Sequence, residues 1–343
     1  MKKNNEISAP VSRNTYWDTV KALLIFLVIL GHVIQFFMYK SQGNHDFWSD
    51  PLFKGIYLFH MPLFMLISGF FAARSIAKRG WHALVRYLQR LALPCISMGL
   101  IFLITALIQG RSLGYVIIGC SALWFLIVLF ECTVCYLIMQ WKSAWWYKLA
   151  AFVLPIPLAI IAHNIPYMNL LWPHTQLFTY LWPFFILGCL LSRFKFQHLH
   201  INWKWSAFPV LYVTAYYLFQ PDWYVYLKPL SFETDSIQID LFRTFAAVAG
   251  CGTAIWLSKY IHPLLGRIPL VQQIGQVTLA LYVLQTIFFE HHLTIAKSIP
   301  QISSYTAAFI ASLAVLIALY LVYIASRRIS LIAILLYGEK KRG

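Results

Sequence analysis

The chemistry in this sequence begins with one histidine. His32 closes the run Tyr16-Trp17-Asp18-Thr19-Val20-Lys21-Ala22-Leu23-Leu24-Ile25-Phe26-Leu27-Val28-Ile29-Leu30-Gly31-His32, deep in an otherwise apolar stretch. An ionisable side chain is costly inside a membrane, so it marks either a functional site or a hydrogen-bonded structural one. A free imidazole titrates near pH ~6.5, which suits His32 to general-base work. Lys21 precedes it by about three helical turns, roughly 16 Å along the axis and on nearly the same face. Asp18 falls roughly 40–60° off that line. A face charged at one end, with an imidazole well inside the bilayer, fits a ligand with an anionic head and a long thin arm. Coenzyme A is such a molecule.

Further along, Leu58-Phe59-His60-Met61-Pro62-Leu63-Phe64-Met65-Leu66-Ile67-Ser68-Gly69-Phe70 runs the other way. Its geometry predicts His60 at a depth similar to His32, as a site residue or as a packing or capping group. Pro62 is expected to loosen this helix, and Ser68-Gly69 to allow a close helix contact. Arg86 and Arg90, one turn apart, form a basic face that either binds phosphate or anchors the chain by its charge. Glu131 lies one to two turns from Trp124 and needs a cationic or protonated partner at that depth. Thr278, Tyr282 and Gln285 make a polar stripe that serves function or glues helices together. No metal-ligand spacing is apparent among His32, His60, His163, His174, His291 and His292. Cys132 and Cys135 form a CxxC, but inside WFLIVLFECTVCYLIM they read as small apolar residues.

These residues need a membrane to sit in. Of 343 residues, 60% are apolar and 11% charged, and mean hydropathy is +0.68. A soluble domain carries about 25% charged residues, so too few are present here to cover a water-facing surface. The apolar content suffices for roughly ten spans of about 20 residues. Helices are expected near 19–38, 54–73, 90–109, 115–139, 149–163, 177–192, 206–220, 239–258, 276–296 and 305–326. The fold class is therefore all-α: one polytopic transmembrane domain over 1–343, with tails at 1–15 and, strongly basic, at 327–343. The net charge of +16 reflects positive-inside bias rather than nucleic-acid binding, since no basic run is interleaved with a stacking platform. Most Lys and Arg residues fall on one side of this topology, which puts both termini in the cytoplasm. No cleavable signal is evident, so the first apolar run is expected to remain as the first span. The outward loops at 39–53, 164–176 and 221–238 carry Trp48, Trp172, Trp223, Tyr224 and Tyr226, as an interfacial belt or as a sugar-stacking surface. No internal repeat of the kind found in secondary transporters is visible.

On these residues the sequence resembles the acyltransferase 3 family of integral membrane acyltransferases, and within it the fucose 4-O-acetylase-like branch. The motifs are Trp17-Asp18-x2-Lys21-x10-His32 and Phe59-His60-Met61-Pro62-Leu63-Phe64-x3-Ser68-Gly69. Arg86-x3-Arg90-x3-Pro94, Leu123-Trp124-Phe125-Leu126, Pro183-Phe184-x3-Gly188 and Gly275-x2-Thr278-Leu279-x2-Tyr282 follow in order. The resemblance implies a ten-helix core in a bacterial inner membrane and an acyl donor, usually acetyl-CoA, entering from the cytoplasm. It also implies an acceptor hydroxyl on a surface or secreted glycan across the membrane. The family histidine matches His32. The family arginine eleven residues earlier is Lys21 here, which keeps the charge but loses the bidentate fork. A histidine common near the Gln285 position is absent.

The expected mechanism has His32 as general base on the acceptor hydroxyl or as transient acyl carrier, with no metal. Asp18, His60 and Glu131 are the other candidate catalytic groups. Lys21, Arg86, Arg90, Trp124 and Tyr282 are the candidate donor-binding ones, with the cations on the CoA phosphates. The rival readings are a transporter or export permease for a glycan or small anion, and a non-catalytic subunit of a glycan synthase.

Overall fold

A computed structural model of the chain describes residues 15–110, 112, 122–165, 168, 172, 174–193, 203–295 and 302–339. The side chains of residues 42, 78–84, 86 and 290–295 fall outside that description. Among the described residues every regular element is helical. Each of the ten expected apolar segments is largely helical where it is described, and six helices among the described residues are long and apolar enough to cross a membrane, as befits a multi-pass membrane protein. Residues 115–121 of the expected fourth segment lie outside the described residues.

Helix α1 (Thr15–Val33) runs on through a π-helical turn, Ile34–Tyr39, immediately after His32. The whole of Thr15–Tyr39 is long and apolar enough to cross a bilayer. The chain then turns at Gly43, whose positive φ of 72° favours glycine. Helix α2 (Pro51–Tyr57) starts with Pro51 in its first turn and Asp50 as its cap, the carboxylate accepting from the Phe53 N–H at 2.8 Å. Asp50 also accepts from the hydroxyls of Tyr39 (3.0 Å) and Tyr305 (2.8 Å). It thereby ties three elements together at the end of the bundle where α1 finishes.

The chain breaks at Leu58–Phe59, and α3 (His60–Gln109) begins on His60. Pro62 thus falls in a first turn, where its missing N–H has no intrahelical partner to lose. It starts this helix; the expectation that it would loosen one is corrected. A straight helix of this length would set Ser68 and Arg90 about 33 Å apart. Both instead line one cavity, and the Cys189 thiol that meets the Gly69 carbonyl also lies near Tyr87. The segment therefore doubles back between its two apolar arms, Pro51–Ala77 and Tyr87–Gln109. The basic stretch between them, expected as a loop, keeps helical hydrogen bonding.

Helices α4 (Trp124–Gln140), α5 (Trp145–Val153), α6 (Pro155–Asn164) and α7 (Thr175–Leu191) follow, with Pro155 separating α5 from α6. Next come the short α8 (Ala207–Leu218) and the long α9 (Thr234–Leu265). Helices α10 (Pro269–Gln276), α11 (Thr278–Ile295), α12 (Tyr305–Ser326) and α13 (Ser330–Tyr337) complete the bundle. Gly338 packs on the Arg90 backbone, so both ends of the described chain reach the same end of the bundle.

The tightest crossing joins α3 to α7. A Cβ on Gly69 would strike the Phe185 carbonyl, and one on Gly188 would strike the Leu66 carbonyl. Small residues let two backbones touch where lipid supplies no hydrophobic drive. Gly188→Ala is therefore expected to destabilise the detergent-solubilised protein by about 1–3 kcal/mol, read as a lower melting temperature. An unchanged melting temperature would show that the crossing can open without cost.

Candidate functional site

Helix α1 is the wall that every site residue shares. At its first turns Asp18 is buried and pairs with Lys21, Nζ to Oδ1 at 2.9 Å. The Asp18 backbone is pressed against Gly275 so closely that no Cβ fits there. That contact sets α10 beside α1, and the helical structure breaks at Val277 before α11 begins at Thr278. One residue along, the Thr19 hydroxyl meets His262 Nδ1 at 3.0 Å and accepts from Gln272 Nε2 at 2.9 Å. Helices α9 and α10 are thereby hydrogen-bonded to α1.

Above this framework lies a cavity of about 940 Å³. Its polar lining includes Lys21, Ser68, Tyr87, Arg90, Thr278 and Tyr282. Arg90 is exposed at the mouth, whereas the Lys21 side chain is 19% exposed and packs over the Phe71 ring. Two of the expected phosphate-binding cations thus meet in one cleft. The third, Arg86, has its side chain outside the described residues.

A second cavity, of about 920 Å³, continues along α1. It holds His32, Gln35, Lys40, Tyr57, His60 and Gln285 among its lining residues. Val28, Met61 and Tyr282 line both cavities, so the two meet end to end at those side chains. The His32 ring lies between Phe36 and Phe289, with ring centres 5.8 and 5.2 Å away. Its Nδ1 is buried without a hydrogen-bond partner, as is Gln285 Oε1. His60 is buried and its Nδ1 lies 2.8 Å from the Ile56 carbonyl. A carbonyl only accepts, so that nitrogen carries the proton and Nε2 is left as an acceptor. The Tyr282 hydroxyl accepts from the Phe125 N–H (3.3 Å) and donates to the Ala122 carbonyl (3.4 Å), which ties α11 to the start of α4.

The structure brings His32 and His60 together, and Lys21 with Arg90. It does not bring Asp18 to His32: Asp18 pairs with Lys21 at the far end of the first cavity. Trp124 lines the His32 cavity, not the Lys21 one. Glu131 lines neither; its neighbours are Trp172 and the thiols of Cys132 and Cys135. Sequence reasoning overlooked Gln35 and Lys40, although they follow His32 by about one and two turns. It also overlooked Tyr57 and Tyr87, for which the sequence carries no signal. Among the outward aromatics, Trp48 packs at a tilt against Tyr224 and Tyr226, ring centres 4.8 and 5.7 Å away. Trp48 and Tyr226 line the His32 cavity.

A family model described as an acyltransferase domain, Acyl_transf_3, matches residues 14–321. Two relatives share the name Nodulation protein NolL. The one from Sinorhizobium fredii is 49% identical over 67 residues, covering 20% of this chain and 18% of that protein. The one from Mesorhizobium japonicum is 26% identical over 312 residues, covering 81% of this chain and 77% of that protein. No solved structure matches the chain.

The two cavities should be reachable from opposite sides of the membrane. In a cysteine-free background, Ser68→Cys is expected to react with an impermeant maleimide in inverted vesicles, and Gln35→Cys in intact spheroplasts. Labelling of both from one side would overturn the arrangement.

Proposed function

The chain belongs to the acyltransferase 3 family, and from that premise we propose that it transfers an acetyl group from cytoplasmic acetyl-CoA to a hydroxyl of an extracytoplasmic glycan. As a family member it is a membrane acyltransferase. The donor, the acceptor and the roles of individual residues are our reading, as is its place in a bacterial inner membrane. The single observation that carries it is the pair of cavities meeting at Val28, Met61 and Tyr282, cations at one end and two histidines at the other. A long donor with an anionic head fills the first cavity and brings its reactive end to the second.

With both termini cytoplasmic, Lys21 and Arg90 face the CoA phosphates. Asp18 then acts as a positioning residue. It neutralises Lys21 while the donor is absent and holds the ammonium in place. The acceptor hydroxyl enters beside His32. Its proton passes to the imidazole nitrogen left without a partner, and its oxygen attacks the thioester carbonyl carbon. The carbon–sulfur bond breaks, and the CoA sulfur takes the proton from His32. Atoms and charge balance without a metal. His60 Nε2 is placed to accept from the acceptor, and the Gln285 amide to donate to the oxyanion. Lys21 in place of an arginine holds phosphate as a point charge rather than a fork.

His32→Ala is expected to lower transfer about 10²–10⁴-fold, the usual worth of a general base. The test restores wild type or His32→Ala to a strain lacking the gene and measures O-acetyl signals of its surface polysaccharide by NMR. Signals returned by wild type alone support the reading. Equal return by both, at equal expression, sinks the role of His32. Separately, Lys21→Gln in an Asp18→Asn background is expected to raise the KM for acetyl-CoA about tenfold, with a smaller change in kcat.

A further inference from the structure

The chain changes helix type beside its first-span histidine. Helix α1 is α-helical to Val33 and π-helical from Ile34 to Tyr39. Single π-turns inside helices recur at functional sites. Gln35 and Phe36, both from this turn, line the His32 cavity. Phe36 packs against the His32 ring. Gln35 follows His32 by three residues, so it lies on an adjoining face of the helix, and the transfer scheme above leaves it without a role.

A neutral imidazole has one N–H and one lone pair, and its partners decide which nitrogen has which. His32 Nδ1 is buried and has no hydrogen-bond partner. A proton there would be an orphaned buried donor, which is costly. The proton therefore belongs on Nε2, and that N–H needs an acceptor. Phe36 and Phe289 pack against the ring and offer none. Lys40 acts on the ring through its charge, and an ammonium only donates. His60 meets His32 through charge alone. The Gln285 oxygen is itself without a partner. Gln35 is the side chain within hydrogen-bonding reach of the ring, and its amide oxygen accepts.

We propose that Gln35 is the positioning residue of His32: its amide oxygen accepts from Nε2–H, which leaves the lone pair on Nδ1 for the proton of the acceptor hydroxyl. When Nδ1 takes that proton, both ring nitrogens are donors and the Gln35 oxygen still holds the first. The proton that goes on to the CoA sulfur is the one on Nδ1, and the one on Nε2 does not move. The consequence for transfer rests on the general-base reading of His32, but the tautomer itself is observable without turnover.

Solid-state nitrogen NMR of the full chain in lipid, labelled at histidine, reads that tautomer. The His32 signal is the one that His32→Gln removes. A protonated Nε2 and a bare Nδ1 are expected in the wild type, and a mixture of tautomers in Gln35→Leu. A wild-type ring protonated on Nδ1, or one that Gln35→Leu leaves unchanged, overturns the proposal. Acetyl-CoA hydrolysis in detergent reads the consequence. Gln35→Leu is expected to lower kcat at least about tenfold, within the about 10²–10⁴-fold that a general base contributes. Its KM for acetyl-CoA should stay within about twofold of the wild type. Gln35→Glu, which keeps an acceptor oxygen, should recover most of the lost kcat. In a His32→Ala background Gln35→Leu should cost nothing more, because it acts through the missing ring. A further loss in that background, or a change in KM alone, removes the positioning role. Melting temperatures check folding, and should Gln35→Leu fail that check, the wild-type tautomer decides. Should His32→Ala hydrolyse acetyl-CoA as the wild type does, the general-base reading falls, and the tautomer assignment is still judged by its NMR signal.

Discussion

Hydrocarbon offers a polar group nothing, so each one buried in this bundle must find a partner inside it or keep a place for one that arrives. At one end of α1, Asp18 answers Lys21, and the Thr19 hydroxyl hydrogen-bonds with His262 and Gln272. At the other, Asp50 accepts from Tyr39, Tyr305 and the Phe53 N–H. Between these clamps the rule is broken where it is useful. His32 Nδ1 and Gln285 Oε1 are buried without partners and line one cavity. The clamps hold α1 in place, and these two atoms face space that a ligand can fill.

Connected cavities can persist in an apolar bundle only if its helices cannot collapse onto one another. Two backbone contacts prevent it. Gly69 and Gly188 lock α3 against α7, and Gly275 locks α10 against the start of α1. The Gly275 lock adjoins a break in helical structure, and α3 begins after another. The chain interrupts itself just before His60, and again between Gln276 and Thr278. At the Leu58–Phe59 break the Ile56 carbonyl accepts from the Phe59 N–H (3.3 Å) and also holds the His60 ring. The break before Thr278 starts α11 so that Tyr282 reaches the first turn of α4 and stands where two cavities meet.

The helical, multi-pass character was legible because a bilayer sets a length and composition reports it; among the described residues six helices reach that length and the other apolar segments are shorter. The Lys21–His32 face was legible because helical spacing places two side chains on one line without any knowledge of neighbours. Glu131 shows where that reasoning stops. A carboxylate in an apolar run promises a function by its cost alone, yet its neighbours turn out to be Trp172 and two thiols, away from the cavities. Trp124 lies in the His32 cavity and Asp18 beside Lys21, placements the sequence leaves open because it does not say which cavity a helix end meets. Tyr57 carried no signal: nothing in a single helix distinguishes a tyrosine that packs from one that lines a cavity.

By itself, then, the sequence determined that this chain is a helical membrane protein with a charged and an imidazole-bearing end to its first span. Those properties are local: they depend on residue type, on a period and on the thickness of a solvent. Only the tertiary structure decided that Lys21 and Arg90 share a cleft and that His32 and His60 share the next. These are meetings between residues far apart in the chain. They are set by how closely glycines let helices approach and by where α3 doubles back, and neither is written in the spacing of any one helix.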